Sequence, residues 1–222
     1  MFSSSTATRC LSRCINRRFL ASSAYTEPSL PNAHEISTTP LNLTNEQRAA
    51  LDSALRVDQA GEVAANWIYR GQHFILGKLP VTGPLIQEMW DQEKKHLAVM
   101  DKMQLQHRVR PTILIEVAKI GGFGLGAVTA LMGKEAAMAC TEAVETVIGE
   151  HYDDQLKEME SLPSTHPSVP LLREVVKEFR DDELEHLNIA VVNHAQRAPG
   201  HALLSTVVGA GCKVAIELCK RF

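Results

Sequence analysis

The feature that most constrains the fold of this chain is a pair of Glu-x-x-His sequences, Glu93–His96 and Glu183–His186. Residues three positions apart lie on the same side of a helix, so each pair offers one carboxylate oxygen and one imidazole nitrogen to a common point. Random placement of the glutamates and histidines in 222 residues would give nearly one such pair by itself. The pairs therefore indicate a metal site only if neighbouring helices supply further ligands.

Each pair follows, along the chain, a predicted helix that carries a carboxylate among small or apolar neighbours. Glu62 follows Gly61 and precedes three small apolar residues, and Glu145 lies within the run 143–148. An unpaired charge would be costly in such surroundings. Glu142, one turn before Glu145, is an alternative for the same role. The chain thus runs twice through a helix with Glu and then a helix with Glu-x-x-His, which is the ligand arrangement of ferritin-like di-iron bundles.

The six candidate ligands favour two divalent ions of a hard metal. Four carboxylates carry the charge that two divalent ions neutralise, so the site can be buried without an unpaired charge. Carboxylates with a few imidazoles suit iron or manganese, whereas zinc sites have fewer ligands and often thiolates. The candidate metal ligands are Glu62, Glu93, His96, Glu145, Glu183 and His186.

The rest of the pattern predicts an all-α fold, because no segment has a sustained alternation of apolar and polar residues. Thr44 and Gln47 form a capping box that opens the first helix of the bundle. Four helices carry the candidate ligands and form a ferritin-like di-iron bundle, and two additional helices are unusually apolar. The predicted helices span residues 44–75, 84–107, 112–132, 134–159, 169–196 and 201–220.

The two additional apolar helices, 112–132 and 201–220, suit the interface of a membrane. Residues 120–133 contain no charge, but this stretch is too short to span a bilayer, which needs about 20 residues. Gly121, Gly122, Gly124 and Gly126 also make it a poor helix. We expect Leu125 and Leu204 to face the membrane. Both helices could instead be ordinary core helices.

The first 26 residues have the composition of a mitochondrial transit peptide. They contain four arginines and many serines and threonines, and the first acidic residue is Glu27. Such Arg-rich, acid-free amphipathic segments direct import into mitochondria; a disordered basic tail is the alternative. We therefore divide the chain into a transit peptide (1–26), a proline-containing linker (27–43) and a ferritin-like di-iron domain (44–222).

Charge and cysteine content exclude other classes of protein. The formal net charge is -3, so the concentrated basic surface of a nucleic-acid-binding protein is not expected. The five cysteines are odd in number and unevenly spaced, which argues against both a disulfide framework and a Cys-rich zinc module.

Three sequence runs resemble the demethoxyubiquinone hydroxylases, the mitochondrial di-iron monooxygenases of ubiquinone biosynthesis. The runs are Arg56–Glu62, Glu93–Leu97 and Asp182–His186, in the order that this family has them. The resemblance covers roughly residues 45–222. It implies that all six candidate ligands bind iron and that Glu93 and Glu183 bridge the two ions.

The resemblance also bears on the choice between Glu142 and Glu145. The family has Ala-Val-Glu followed by a His-Tyr pair, which Ala143–Glu145 and His151–Tyr152 match. Glu142 departs from the apolar residue that is commoner at its place in the family. This favours Glu145 as the ligand and leaves open whether Glu142 contributes to the metal site.

The reaction that the resemblance implies is the hydroxylation of a polyprenylated demethoxyubiquinone, or its quinol, with dioxygen. Members of this family take electrons from NADH, yet this sequence has no Gly-x-Gly-x-x-Gly fingerprint, so any contact with NADH is of another kind. The expected partners are the polyprenyl quinone and a lipid-binding accessory protein of the ubiquinone pathway, together with other enzymes of that pathway. The expected location is peripheral, on the matrix side of the inner mitochondrial membrane.

Two further residues near the candidate ligands have expected roles. Tyr152 lies seven residues after Glu145, two turns along the same helix face, and either belongs to an electron path or is a core tyrosine with a bonded hydroxyl group. Asp58, one turn before Glu62, is expected to accept a hydrogen bond from a ligand histidine.

Two functions of other classes remain as alternatives. A soluble ferritin-like protein would store iron or remove peroxide, and the apolar helices argue against it. A structural component of a quinone-biosynthesis complex would have a vestigial metal site, and the complete ligand spacing argues against that.

Overall fold

All regular structure in the described part of the chain is helical, which confirms the all-α prediction. The computed structural model describes residues 20–27 and 33–222. Two single turns of 3-10 helix, Met159–Ser161 and Ala195–Arg197, accompany eight α-helices. The α-helices are α1 (Leu20–Thr26), α2 (Ala33–Ser37), α3 (Asn45–Leu76), α4 (Thr82–His107), α5 (Ile115–Leu131), α6 (Lys134–Glu158), α7 (Ser168–Val192) and α8 (His201–Arg221).

The predicted capping box at the start of α3 is present. The Thr44 hydroxyl accepts a hydrogen bond from the Gln47 amide (3.2 Å), and the Gln47 side chain accepts one from the Thr44 amide (3.0 Å). These two bonds satisfy backbone donors that a helix start otherwise leaves free. The cap fixes the residue at which α3 begins. It thereby helps to set which of the later residues of α3 face the bundle.

Two helix pairs form the bundle, α3 with α4 and α6 with α7. One apolar cluster closes one end of the bundle and includes Leu55, Met103, Leu172 and Phe179. A second apolar cluster closes the other end and includes Met89. The space between the two clusters holds the polar side chains described below.

Helix α5 lies along α3 at very short range because glycines form the contact. An added Cβ atom on Gly126 would lie 2.0 Å from the Ile68 carbonyl oxygen, and one on Gly122 would lie 2.7 Å from the Ala64 carbonyl oxygen. On α3, Gly71 has the same role opposite the Phe123 carbonyl oxygen. The glycines that made this segment a poor helix in the sequence therefore allow a continuous helix to pack on its neighbour.

Helix α8 lies flat on the bundle and both of its ends are attached to it. The His201 ring contacts the Glu142 carboxylate on α6 (Nε2 to Oε2, 2.6 Å), and the Phe222 carbonyl oxygen accepts a hydrogen bond from the Ile113 amide (3.2 Å). Between these ends only Val208 and Cys219 are buried. Among the described residues, α8 is the one helix that is long and apolar enough to cross a membrane.

The apolar surface of α5 and α8 differs in detail from the prediction. Leu125 and Leu204 are partly buried and pack against core residues, so the expectation that they face a membrane is wrong. Other apolar residues of these two helices, with Ile113 just before α5, are exposed: Ile113, Val117, Ile120, Val128, Leu131, Leu203, Val207, Val214 and Leu218. When both sides of a helix are apolar, the sequence period does not identify the side that packs.

Residues 20–27 and 33–43 pack on the outside of α4 and α7. Ala24 and Tyr25 are buried in the first apolar cluster, and the Ser22 hydroxyl donates to Glu178 on α7 (2.6 Å). Packing thus starts before residue 26, the predicted end of the transit peptide, and the predicted linker contains α2. The transit peptide remains a prediction, and its residues 1–19 lie outside the described residues.

Helix α7 ends at Val192, four residues before its predicted end. The Asn193 side chain donates to the Ile189 carbonyl oxygen (2.9 Å), and His194 adopts a left-handed conformation with φ 71. Asparagine is well suited to such local bonds with the backbone, which compete with helix continuation.

Candidate metal centre

The six predicted metal ligands converge on one buried cluster at the middle of the bundle. Their ligand atoms form two groups, and within each group all atoms lie within 4.8 Å of one another. Each residue of the cluster is buried, and none is more than 3% exposed. The first group is Glu62, Glu93, His96 and Glu183, and the second is Glu93, Glu145, Glu183 and His186. Glu93 and Glu183 therefore belong to both groups.

The two shared glutamates direct one oxygen towards each histidine. Glu183 Oε1 lies 3.2 Å from His96 Nδ1, and Glu183 Oε2 lies 3.2 Å from His186 Nδ1. Glu93 Oε1 lies 3.1 Å from His186 Nδ1, and Glu93 Oε2 lies 3.9 Å from His96 Nδ1. This is the arrangement that two carboxylates need to bridge a pair of ions.

The two outer glutamates complete one group each. Glu62 Oε2 lies 3.7 Å from His96 Nδ1, and Glu145 on α6 joins His186 in the second group. One outer glutamate comes from α3 and the other from α6, whereas the Glu-x-x-His pairs come from α4 and α7. The bundle therefore presents the same set of ligand types to each group.

Several atoms that face into the cluster have no hydrogen-bond partner. They are Glu62 Oε2, both oxygens of Glu93, and His96 Nδ1. Buried polar groups are nearly always satisfied, and an unsatisfied charged group is especially costly. The orphaned atoms all belong to candidate ligands and all face the same space. The donor set thus fits a pair of hard divalent cations, which would satisfy these atoms.

Each candidate ligand histidine is held by a hydrogen bond at its outer nitrogen. His96 Nε2 lies 3.1 Å from Asp182 Oδ2, and His186 Nε2 lies 2.5 Å from Gln92 Oε1. Because each partner is an acceptor, the proton belongs on Nε2, and the Nδ1 lone pair is left to face the cluster.

The prediction that Asp58 orients a ligand histidine is wrong. Its carboxylate instead accepts from Gln155 Nε2 (2.6 Å) and contacts His151 Nε2 (3.1 Å), both on α6. Asp58 shares a helix face with Glu62, but one turn of α3 places it beside α6 rather than beside the histidines of α4 and α7.

The structure places Glu145 inside the cluster and Glu142 outside it. Glu142 lies one turn earlier on α6, and its Oε2 contacts His201 Nε2 on α8 at 2.6 Å. No group of potential ligands among the described residues includes Glu142. Of the two glutamates that the sequence left open, Glu145 has the position of a ligand.

Two buried tyrosines donate hydrogen bonds to the outer glutamates. Tyr152 on α6 donates to Glu62 Oε1 on α3 (2.7 Å), and Tyr69 on α3 donates to Glu145 Oε1 on α6 (2.9 Å). Tyr152 was among the residues predicted from the sequence, whereas Tyr69 was not. The signal for Tyr69 was present, because it follows Glu62 by the same seven residues that separate Tyr152 from Glu145.

The carboxylates of the cluster have strongly displaced pKa values. Burial, together with the charges of Glu93 and Glu183, raises the pKa values of Glu62 and Glu145 well above their ordinary range. Burial acts in the same direction on Glu183, but its contacts with His186 and His96 outweigh it and lower the pKa to about 2. The outer glutamates thus need positive charge beside them to ionise, and divalent cations supply it.

Comparison with known proteins assigns the chain to a family. The family model described as "Ubiquinone biosynthesis protein COQ7" matches residues 49–219. This range contains the six candidate ligands and the two tyrosines that donate to the outer glutamates.

Relatives from distant organisms align over most of the chain. The NADPH-dependent 3-demethoxyubiquinone 3-hydroxylase, mitochondrial, of Mus musculus is 49% identical over 82% of this chain and 82% of that protein. The 5-demethoxyubiquinone hydroxylase, mitochondrial, of Saccharomyces cerevisiae is 41% identical over 81% of this chain and 82% of its own length. The 3-demethoxyubiquinol 3-hydroxylase of Rhodospirillum rubrum is 42% identical over 78% of this chain and 79% of its own length. Given the match to the family model and these relatives, the chain belongs to the ubiquinone biosynthesis protein COQ7 family, whose members share a ferritin-like helical fold.

Proposed function

We propose that this chain is a di-iron monooxygenase that hydroxylates the ring of a polyprenylated demethoxyubiquinone, or its quinol, in ubiquinone biosynthesis. The observation that carries the proposal is the buried cluster of four glutamates and two histidines, in which two carboxylates face both histidines. The names of the relatives specify the same reaction class. Two irons held by these residues would supply the activation of dioxygen that ring hydroxylation requires.

Iron is the metal that we propose, because this ligand set suits iron or manganese and the family resemblance implies iron. The candidate ligands are carboxylates and imidazoles, and no cysteine belongs to either group of potential ligands. Glu93 and Glu183 would bridge the two ions, while Glu62 and Glu145 would each bind one of them. These residues would hold the ions away from bulk water, because every candidate ligand is buried.

The reductant that we propose is a reduced nicotinamide nucleotide. The family resemblance implies NADH, whereas the name of the Mus musculus relative specifies NADPH. The chain has no Gly-x-Gly-x-x-Gly fingerprint, so the nucleotide would bind without a dinucleotide-binding fold. Assays with NADH and with NADPH, under otherwise equal conditions, distinguish the two.

The exposed apolar surface of α5 and α8 supports a peripheral position on a membrane. A polyprenylated substrate resides in the bilayer, so the enzyme needs an apolar surface beside it. Ile120 on α5 and Val207 on α8 are 75% and 61% exposed, and a helix with an exposed apolar face can lie in the interface of a membrane. Both ends of α8 are attached to the bundle, which favours a helix that lies on the membrane over one that spans it.

Mitochondrial location follows for this chain from the Arg-rich start of the sequence and from the names of its relatives. We place it on the matrix side of the inner membrane, with a lipid-binding accessory protein and other enzymes of the ubiquinone pathway as its protein partners. Iron storage or peroxide removal, and a purely structural role, remain the alternative functions. An exposed apolar surface is of no use to a soluble iron store, and a vestigial site has no reason to keep orphaned carboxylate atoms buried.

Lipid analysis of living cells tests the proposal. Cells that lack their own demethoxyubiquinone hydroxylase would express this chain, its Glu183→Ala variant or its Glu142→Gln variant. We expect the unaltered chain and Glu142→Gln to restore ubiquinone and to remove the accumulated demethoxyubiquinone, and Glu183→Ala to restore nothing. Accumulation that persists beside normal amounts of the unaltered protein in mitochondria would contradict the proposed function.

A further inference from the structure

Tyr69 contacts two candidate ligands of the same metal position. Its hydroxyl group donates to Glu145 Oε1 at 2.9 Å. Its ring lies edge-on to the His186 ring, with the ring centroids 5.9 Å apart and the planes at 69°. The side chain is 1% exposed. Tyr69 therefore connects α3 to one candidate ligand on α6 and another on α7.

The centre has two halves, one for each group of ligands. In the half that contains Glu62 and His96, the corresponding tyrosine is Tyr152, and it contacts only one candidate ligand. Tyr152 donates to Glu62 Oε1 at 2.7 Å, and its ring packs beside His151, which is not a candidate ligand. The His96 ring is instead stacked on Phe179, with centroids 4.0 Å apart. The two halves thus share their ligand types. In the Glu145–His186 half, Tyr69 contacts both ligands. In the Glu62–His96 half, Tyr152 contacts Glu62 and Phe179 contacts His96.

A hydrogen bond to one carboxylate oxygen limits how that carboxylate can bind a metal. The bond from Tyr69 occupies one lone pair of Glu145 Oε1, whereas both lone pairs of Oε2 stay available, which favours binding of an ion through Oε2 alone. Without the hydroxyl group, the carboxylate is free to rotate and to offer both oxygens to the ion. The ring of Tyr69 acts separately, because it restricts the plane in which His186 can lie.

We propose that Tyr69 is the positioning residue of the Glu145–His186 half of the centre, fixing Glu145 as a one-oxygen ligand and fixing the plane of the His186 ring. The inference rests on the proposed function, because it requires that iron occupies the cluster. It assigns to Tyr152 the same effect on Glu62 and therefore on the other half. It assigns to Tyr69 alone a combined effect on two ligands of one iron.

The test is Mössbauer spectroscopy of the full chain after anaerobic loading with ⁵⁷Fe(II), together with iron analysis. Tyr69→Phe removes the hydroxyl group and keeps the ring, so we expect the quadrupole splitting to change for one iron, which is half of the spectral area. Tyr152→Phe should change the other half. Tyr69→Leu removes both contacts, and iron content should fall from about two to about one per chain, since one half keeps its ligand geometry.

One further variant preserves the packing of the side chain at position 69. A fluorotyrosine at position 69 keeps the ring and the hydroxyl group and makes the latter a stronger donor, so the same half of the spectrum that Tyr69→Phe alters should shift. Circular dichroism would confirm that each variant retains its helical content.

The outcomes separate this inference from the proposed function. If the unaltered chain binds no iron, both are refuted. If it binds about two irons per chain and the spectrum is unchanged by Tyr69→Phe and by fluorotyrosine, the proposed function stands and the positioning role of Tyr69 is refuted. A change that affects both irons equally in Tyr69→Phe would also overturn the assignment of Tyr69 to one half.

Discussion

The carbonyl oxygen of Ile68 lies 2.0 Å from the point that a Cβ atom on Gly126 would occupy. No side chain can be accommodated at that distance from a backbone atom, so the separation of α3 and α5 depends on this glycine. Helix α3 also carries Glu62 and Tyr69, and the contact therefore supports the helix that holds part of the candidate metal centre.

Replacement of Gly126 by alanine should destabilise the protein by about 1 to 3 kcal/mol, because the new methyl group forces α3 and α5 apart. Gly124→Ala is the matched control, since an added Cβ there meets no atom within 4 Å. Alanine favours the helix by up to about 1 kcal/mol relative to glycine, so the control should be slightly more stable. Urea unfolding measures the free energy of unfolding of both variants. Equal effects of the two substitutions would show that the close contact is not needed.

The stability of the fold should fall in mild acid because of His107. This residue is fully buried at the end of α4, and its Nδ1 lies 3.0 Å from the Thr39 hydroxyl. Burial, with the charges of Arg48 and His166, lowers its pKa from 6.5 to about 4. The unfolded chain therefore takes up the proton first, so the stability that neutral His107 preserves is present above pH 6.5 and is lost as the pH falls towards 4.

The expected loss between pH 7 and pH 5 is about 2 kcal/mol from this residue. Urea unfolding of the unaltered chain and of His107→Gln, at both pH values, measures their free energies of unfolding. The difference between the two chains separates the contribution of His107 from those of other groups that titrate in this range. The variant should be less stable at pH 7 and should lose about 2 kcal/mol less on acidification. If both chains respond equally to pH, the buried neutral histidine is not the cause.

The segment before residue 27 should stabilise the folded domain. Ala24 and Tyr25 are buried, and Ser22 and Tyr25 make hydrogen bonds to α7 and α4. A chain that starts at residue 20 should be more stable than one that starts at residue 27 by about 3 kcal/mol, the order expected for loss of a buried aromatic side chain. Thermal unfolding of the two chains measures this difference in stability. Equal stability would place the start of the fold after this segment.

A charge on the exposed apolar surface should weaken membrane binding without loss of iron. Ile120→Glu and Val207→Glu each place a carboxylate on this surface, and moving a charge into the apolar part of a bilayer costs up to about 3 kcal/mol. Leu105→Glu, at an exposed apolar residue on α4, is the control. Flotation with liposomes should fall for the first two variants only. Undiminished flotation would remove the membrane role of α5 and α8.

The six clustered residues could be predicted from the sequence because helical spacing puts each Glu-x-x-His pair on one face, and because Glu62 and Glu145 lie on the helices that precede those pairs. The family resemblance favoured Glu145, but a contribution of Glu142 stayed open because both lie on α6 and the contact of Glu142 with His201 on α8 has no signal in the sequence. The role predicted for Asp58 was wrong. A shared helix face does not determine which neighbouring helix a residue meets one turn further along.

Packing between helices accounts for the remaining differences. The glycines of α5 weaken an isolated helix, and only the presence of α3 makes their small size an advantage. Leu125 and Leu204 are apolar like their exposed neighbours, so composition could not tell that they pack inwards. Tyr69 was missed because its partner, Glu145, lies on another helix, although its spacing from Glu62 repeats that of Tyr152 from Glu145.

The central claim is that the buried cluster binds two metal ions, and iron analysis of purified variants tests it most directly. The full chain and Glu142→Gln should each hold about two irons, because all six candidate ligands remain. Glu183→Ala removes a carboxylate that faces both histidines, so its iron content should fall well below one per chain while its helical content persists. Full iron content in Glu183→Ala, or no iron in the unaltered chain, would contradict the claim.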